Sequence, residues 1–176
     1  MKSLFLLLIL YLSVATVDAQ DISLDSLRML YFEEWIGKCG AEKLVAYTEP
    51  VDENASPVHK AYRGAGLATT SNCTSWPIRK ITRFRDGKAL IEEAVSLKPN
   101  DLEVRFLRFT IQRNIPDFLG YDNVEEDRKF IMERLTLYLK KGEQSHLTKL
   151  ILKYMFDTEE LTRDQILDLE AVSAEE

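Results

Sequence analysis

The stretch "EVRFLRFTIQRNIPDFLGY", from Glu103 to Tyr121, places large apolar residues between arginines. In an α-helix, at about 100° per residue, this stretch and the residues just before it form one narrow polar stripe with apolar residues on both flanks. A helix with two apolar flanks is contacted by neighbours on both sides, so the pattern predicts an interior helix in a layered array. The stripe consists of Asp101, Arg105, Arg108 and Gln112, and its flanks of Leu102, Phe106 and Phe109 on one side and Val104, Leu107 and Ile111 on the other.

Helical spacing of apolar residues recurs along nearly the whole chain after residue 20, and long alternating strand-like runs are missing. Ser56 followed by Pro57 indicates a helix start, and Lys140, Lys141 and Gly142 are typical of a helix end. The sequence predicts an all-α fold of seven or eight helices. They form one domain at residues 20–172, followed by a frayed acidic tail at 173–176.

The N-terminus has the composition of a secretory signal. Lys2 supplies a positive charge, Leu4–Leu12 is an apolar run, and Ala19 follows small residues at the spacing that a signal peptidase accepts. The apolar run is about half of the roughly 20 residues that a membrane span needs. We therefore predict a signal peptide at residues 1–19 and an exported, periplasmic or extracellular protein with no membrane span in the mature chain.

The chain is acidic, with a formal net charge of −6. Acidic proteins repel nucleic acid unless they carry a strong local basic patch. The densest basic stretch is "RKITRFR", Arg79–Arg85, with Lys88 just beyond it. We interpret this stretch as a solvated helix face or a set of local salt bridges, and we predict no nucleic-acid partner.

The chain contains two cysteines, Cys39 and Cys73. In an exported protein they could form one disulfide, worth roughly 3–4 kcal/mol through the reduced entropy of the unfolded chain. The alternative is two separate buried thiols that behave as small apolar residues. The sequence leaves both interpretations open.

An inward-facing carboxylate is expected at Asp127, which lies between Val124 and Ile131 on the apolar side of its helix. Because a carboxylate buried without a partner is costly, we expect Asp127 to pair with Arg105 or Arg108. Such an ion pair would orient two helices and would not be catalytic.

Part of the sequence is similar to the tetratricopeptide repeat. Gly87, Ile91, Ala94 and Pro99 match the small residue, large apolar residue, alanine and proline of that repeat's second helix. The preceding helix departs from the repeat's spacing and the turn between them is too long, so the repeat is degenerate.

At a finer level the chain resembles a group of short, uncharacterised exported bacterial proteins. The residues that carry this resemblance are "AYRGAG" at Ala61–Gly66, the stretch Glu103–Tyr121 and Asp127. The resemblance implies a tetratricopeptide-like stack of antiparallel helix pairs. It implies no established activity and no catalytic residues.

The sequence contains no recognisable catalytic or cofactor motif. The histidines and cysteines, which are His59, His146, Cys39 and Cys73, have no metal-ligand spacing. Nucleophile-elbow, zinc-protease and phosphate-loop patterns are missing as well. We therefore predict no metal, no cofactor and no enzymatic activity, with an enzyme that uses an acid and arginine cleft as one alternative.

The leading functional prediction is a scaffold or a module that binds another protein or a peptide. Stacked helix pairs present a concave groove, and Arg and Tyr are favoured at interfaces. The arginines could instead be used in internal ion pairs, and a stand-alone structural domain without a ligand is a further alternative. The residues expected to line a groove are Tyr62, Arg63, Arg105, Arg108 and Gln112.

Overall fold

The computed structural model describes residues 22–32, 41–115, 119–142, 145–158 and 161–174. All regular secondary structure in these ranges is helical, which confirms the all-α prediction. The predicted signal peptide at residues 1–19 lies outside the described residues. No described helix is both long enough and apolar enough to cross a bilayer.

The described residues form eight α-helices, and one short 3-10 helix lies between the third and the fourth. The α-helices are α1 (Leu24–Phe32), α2 (Ala41–Tyr47), α3 (Pro57–Thr70), α4 (Pro77–Leu97), α5 (Leu102–Arg113), α6 (Val124–Lys140), α7 (His146–Asp157) and α8 (Arg163–Ala174), and the 3-10 helix is Ser71–Cys73.

Side-chain caps fix the start of three helices. Ser56 accepts a hydrogen bond from the amide of His59 ahead of Pro57, as the sequence pattern indicated. Asp101 accepts from the amides of Glu103 and Val104 at 3.0 and 3.1 Å. Ser145 caps α7 in the same way. Each cap satisfies amide groups that the first turn of a helix leaves without an intrahelical partner.

Helix α5 lies in the interior. Every residue from Leu102 to Gln112 is buried, including Arg105, Arg108 and Gln112 of the polar stripe, and α5 packs against α3, α4 and α6. The prediction of a helix contacted on both flanks is therefore confirmed. The two apolar flanks explain the interior position of α5, because burying both of them requires neighbours on both sides of the helix.

Helices α3 and α4 run antiparallel and are the most closely packed pair among the described elements. The order of contacts shows the direction: Lys60 pairs with Glu93, and Arg83 donates to the carbonyl of Thr70. Between these contacts Gly64 faces Gly87, and a Cβ built on Gly64 would lie 2.6 Å from the Gly87 carbonyl oxygen. The absence of a side chain at both positions lets the two backbones approach each other.

Aromatic rings in the core and packed against it join α1, α3, α5 and α7. The ring of Tyr31 meets that of Tyr62 edge to face at 5.7 Å. Phe106 of α5 stacks on Phe32 at 5.6 Å and meets Tyr154 of α7 at 5.2 Å. Since these helices come from both halves of the described chain, the rings connect the two halves into one core.

Buried tyrosines make the stability of the fold sensitive to alkaline pH. In the described part of the chain, burial raises the pKa of four tyrosines above the ordinary value of about 10. The unfolded chain therefore loses protons above pH 10 that the folded chain keeps, so this stability is complete below about pH 10 and is lost as the pH rises further. The four are Tyr31, Tyr62, Tyr121 and Tyr154.

Tyrosinate absorbance, followed together with circular dichroism during an alkaline titration, checks this prediction. We expect these tyrosines to ionise only as the helical signal is lost. Full ionisation of these four tyrosines in a chain that is still folded would contradict it.

Candidate functional site

The structure pairs Asp127 with both of the expected arginines, Arg105 and Arg108. Asp127 is fully buried. Arg108 donates from Nε to Oδ2 at 2.7 Å and from Nη2 to Oδ1 at 2.8 Å, and Arg105 donates from Nε to Oδ1. One carboxylate on α6 thus binds the guanidinium groups of Arg105 and Arg108 on α5 and fixes the two helices against each other.

The remaining hydrogen bonds of these arginines also stay within the protein. Arg105 contacts Glu126 at 2.8 Å and the carbonyl of Pro99 at 3.3 Å. Arg108 contacts Glu92 Oε2 at 3.3 Å. Because both side chains are buried and paired with Asp127, the contacts support internal ion pairing for Arg105 and Arg108, which is the alternative to a place in a groove.

Tyr62 also belongs to the core. Its side chain is completely buried, and its hydroxyl donates to Glu103 Oε1 at 2.7 Å. Glu103 in turn accepts two hydrogen bonds of 2.8 Å from Arg28. Arg63 is partly buried and donates to the backbone carbonyl of Thr48. Tyr62 therefore cannot line a groove, because α1 and α5 cover the face of α3 on which it lies.

Gln112 differs from the other expected groove residues. It is only 4% exposed, and its amide lies within hydrogen-bonding reach of the Tyr121 hydroxyl. It follows the arginines on the same stripe of α5 but lies beyond the reach of Asp127. Its neighbours are Tyr121 and, through that residue, Glu92.

Glu92 lies at one end of a cleft along one face of α4, which we call the α4 cleft. Its volume is about 900 Å³. Along α4 it runs from Pro77 to Glu92, a distance of roughly 22 Å at the rise of an α-helix. Ser71 and Asn72 of the 3-10 helix lie on one side of it, and Ile115 and Leu119 lie on the other. The apolar lining consists of Pro77, Ile81, Phe84, Ala89, Ile115 and Leu119.

Positive charge is concentrated at the rim of the α4 cleft. Lys80, Arg85 and Lys88 line it on a chain whose net charge is −6. The interpretation of "RKITRFR" as a solvated face or salt bridges holds in part, since Arg83 pairs with Glu42 at 2.7 Å. Lys80 and Arg85, however, make no ion pair with any residue that the structure describes.

Exposed apolar side chains extend the surface beyond the α4 cleft. Trp76 and Ile78, at the start of α4, are 70% and 78% exposed, and Ile81 connects them to the cleft. Large apolar residues that cluster at the surface mark interaction sites more often than scattered ones do. The cleft and this edge together present an apolar surface bordered by cations.

The wall of the α4 cleft also contains a disulfide. Cys73 ends the 3-10 helix, next to the cleft residue Asn72, and is disulfide-bonded. Cys39 lies outside the described residues, so the pairing of the two cysteines stays a prediction. In the part of the chain that the structure describes, no group of His, Cys, Asp and Glu residues is arranged to hold a metal ion.

Comparison with known proteins identifies no relative. No family model matches the chain, and no curated protein or solved structure matches it either.

Proposed function

We propose that this chain is an exported module that binds another protein through the α4 cleft. The segment it holds has apolar side chains and carries carboxylates. The observation that supports this most is the combination of an apolar lining with three cationic side chains, Lys80, Arg85 and Lys88, on an acidic chain.

The dimensions and charges of the α4 cleft favour a peptide segment as the occupant. A length of roughly 22 Å matches about four turns of helix. Amphipathic helices bind in apolar grooves through residues spaced three and four apart, and Phe84 and Ile81 show the matching spacing. Carboxylates beside such a helix would pair with Lys80 and Arg85, which would direct the segment into the cleft.

The proposed architecture is a degenerate tetratricopeptide-like stack of antiparallel helix pairs. The antiparallel α3 and α4, with Gly64 and Gly87 at their contact, support it. Export is proposed from the N-terminal sequence at residues 1–19. The bonded state of Cys73 supports export, because disulfides persist mainly in oxidising compartments.

Selection from a randomised peptide library displayed on phage tests this function. The unmodified protein is expected to enrich peptides that combine carboxylates with apolar residues at helical spacing. The double variant Lys80→Glu, Arg85→Glu is expected to bind the enriched peptides about tenfold more weakly, because exposed ion pairs contribute up to about 1 kcal/mol each. Fluorescence anisotropy of labelled peptides measures the affinities.

The matched control is Lys129→Glu, Lys149→Glu, which changes the charge by the same amount on exposed positions of α6 and α7 outside the cleft lining. It is expected to leave the affinity unchanged apart from the general effect of charge, which salt screens. Equal losses in the two double variants, or enrichment of basic peptides, would contradict the proposal. Enrichment of no peptide would favour a stand-alone domain.

A further inference from the structure

The start of helix α4 projects from the rest of the fold. All eight residues from Ser75 to Thr82 are exposed. Since the helical residues among them, 77–82, make more than one full turn, this end of the helix is exposed on every side. The partner helix α3 has already ended at this level, because the carbonyl of its last residue, Thr70, accepts a hydrogen bond from Arg83. We call residues 75–82 the α4 tip.

The α4 tip carries the two most exposed large apolar side chains among the described residues. Trp76 and Ile78 are 70% and 78% exposed, and Ile81 follows at 56%. Trp76 and Ile78 do not line the α4 cleft, so a peptide held in the cleft does not by itself cover them. Their exposure therefore indicates a second contact of the molecule.

The α4 tip lies in the positively charged part of an acidic chain. Residues 54–85 contain six cations and no acid, so the formal net charge of −6 leaves −12 for the other residues. Arg79 and Lys80 make no ion pair with any described residue, and Glu42 of α2 pairs with Arg83. Because salt screens exposed charges more than about 8–10 Å apart, an anionic surface beside the tip meets mainly these cations.

The backbone of the α4 tip is held in place before any partner binds. Trp76 donates from its amide to Thr74 Oγ1 at 3.3 Å, and its carbonyl accepts from the Lys80 amide at 3.1 Å. Pro77 restricts the first helical residue, and Cys73, three positions before Trp76, is disulfide-bonded. A preorganised tip loses little conformational freedom when it binds.

The shape and composition of the α4 tip favour a lipid surface. A convex end needs a pocket of matching shape on a protein, whereas a fluid bilayer deforms around it. Trp is enriched where a bilayer meets water, because its ring is apolar and its N–H is polar. Arg and Lys beside inserted apolar side chains keep their charges at the level of the lipid phosphates. No side chain caps the start of α4, so its first amides are available to the same phosphates.

We propose that the α4 tip docks the protein on the surface of a bilayer that contains anionic phospholipid. Trp76 and Ile78 insert among the headgroups, and Arg79 and Lys80 pair with the phosphates. The contact is peripheral, and the acidic remainder of the chain faces away from the anionic surface. This inference goes beyond the proposed function, because the inserted side chains are not those that line the α4 cleft.

Co-sedimentation with phospholipid vesicles tests the docking. The mature chain, residues 20–176, contains every described helix and lacks the apolar run Leu4–Leu12, which would itself bind vesicles. Vesicles of equal parts phosphatidylcholine and phosphatidylglycerol are expected to bind it about tenfold more tightly than phosphatidylcholine alone, because each cation near an anionic surface contributes about fivefold. Equal binding to the two kinds of vesicle, or binding to neither, would overturn the proposal.

The double variant Trp76→Ser, Ile78→Ser is expected to bind the anionic vesicles about tenfold more weakly, because the inserted apolar side chains are lost. Its melting temperature should not change, since both side chains are exposed in the free protein. The matched control is Leu97→Ser, Leu167→Ser, which removes apolar side chains that are 56% and 54% exposed, at the opposite end of α4 and on α8. The control should bind normally, and equal losses in the two variants would refute docking through the tip.

Arg79→Glu reverses a charge of the α4 tip without changing the cleft lining. It is expected to lower the preference for phosphatidylglycerol about tenfold. Lys129→Glu makes the same change at an exposed position of α6 and should leave the preference nearly unchanged. A similar loss in both variants would show a general effect of net charge and contradict an oriented contact.

Tryptophan fluorescence identifies the inserted side chain. The chain has two tryptophans, so the blue shift expected when the protein binds vesicles should be missing in Trp76→Phe if Trp76 is the one that inserts. A shift that persists in this variant would contradict the proposal.

A protein partner at the α4 tip is the competing outcome. Absence of vesicle binding, together with weaker binding of the display-selected peptides by Trp76→Ser, Ile78→Ser, would assign the tip to the peptide and overturn the docking. The vesicle experiments contain no peptide, so their failure leaves the function of the α4 cleft standing. Enrichment of no peptide would overturn that function and leave the docking standing.

Discussion

Replacing Asp127 with alanine is expected to lower the free energy of unfolding by about 3–5 kcal/mol, the usual cost of removing one partner from a buried ion pair. The Asp127 side chain is fully buried and accepts hydrogen bonds from both Arg105 and Arg108. Without it, two buried guanidinium groups lose their shared carboxylate and α5 loses its buried polar link to α6. Urea unfolding followed by circular dichroism measures the change.

Glu126→Ala is the matched control. Glu126 precedes Asp127 and contacts the same Arg105 at 2.8 Å, but its side chain is 59% exposed. Burial alone would raise the pKa of Glu126, but the charge and hydrogen bond of Arg105, with smaller contributions from Asn123 and Arg108, together lower it. Solvent screening nevertheless limits the value of an exposed pair to less than about 1 kcal/mol. Equal losses of stability in the two variants would contradict a special role for the buried carboxylate.

Replacing Gly64 with alanine is expected to destabilise the fold by about 3 kcal/mol, at the upper end of the cost of overpacking. The new Cβ would lie 2.6 Å from the Gly87 carbonyl oxygen and 2.8 Å from Cγ1 of Ile91. The first of these is a backbone atom, so relief requires α3 and α4 to separate. Helix propensity alone predicts the opposite sign, because alanine favours a helix by about 1 kcal/mol over glycine.

Gly66→Ala, two residues further along α3, isolates the effect of the close contact. A Cβ there would meet side-chain atoms of Val45 at 3.2 Å and Leu44 at 3.3 Å, and these side chains can shift. We expect a change in the free energy of unfolding within about 1 kcal/mol, since the gain in propensity offsets the crowding. Thermal and urea unfolding of both variants measure the difference, and equal destabilisation would show that the backbone contact is not limiting.

Helical periodicity predicted the centre of the fold well. The double apolar flank of α5 indicated an interior helix, and the inward position of Asp127 required a cationic partner, because both inferences depend only on which residues share a face. Periodicity does not say which neighbour covers a face. Tyr62 was expected in a groove, but α1 and α5 cover it. The packing of these helices depends on contacts between residues that are distant in sequence, such as the hydrogen bond from Tyr62 to Glu103.

The same limit explains why the α4 cleft was missed. "RKITRFR" has the composition of a solvated face, and only the fold places Leu119 opposite Phe84. The spacing of Ile81, Phe84 and Lys88 on one helical face was the available signal. Gln112 was grouped with the arginines because it shares their stripe, yet it lies past Asp127 and close to Tyr121. Position along the stripe therefore decides which side chain each polar residue meets, and helical periodicity alone does not contain this information.

Backbone amide chemical shifts, recorded by NMR as the most enriched peptide is added, test most directly whether the α4 cleft is the binding surface. The account predicts that the largest changes occur at residues 77–92 and at Ile115, Leu119 and Tyr121, with α7 and α8 nearly unaffected. Changes centred on another surface, or none at concentrations where the peptide is bound, would contradict it.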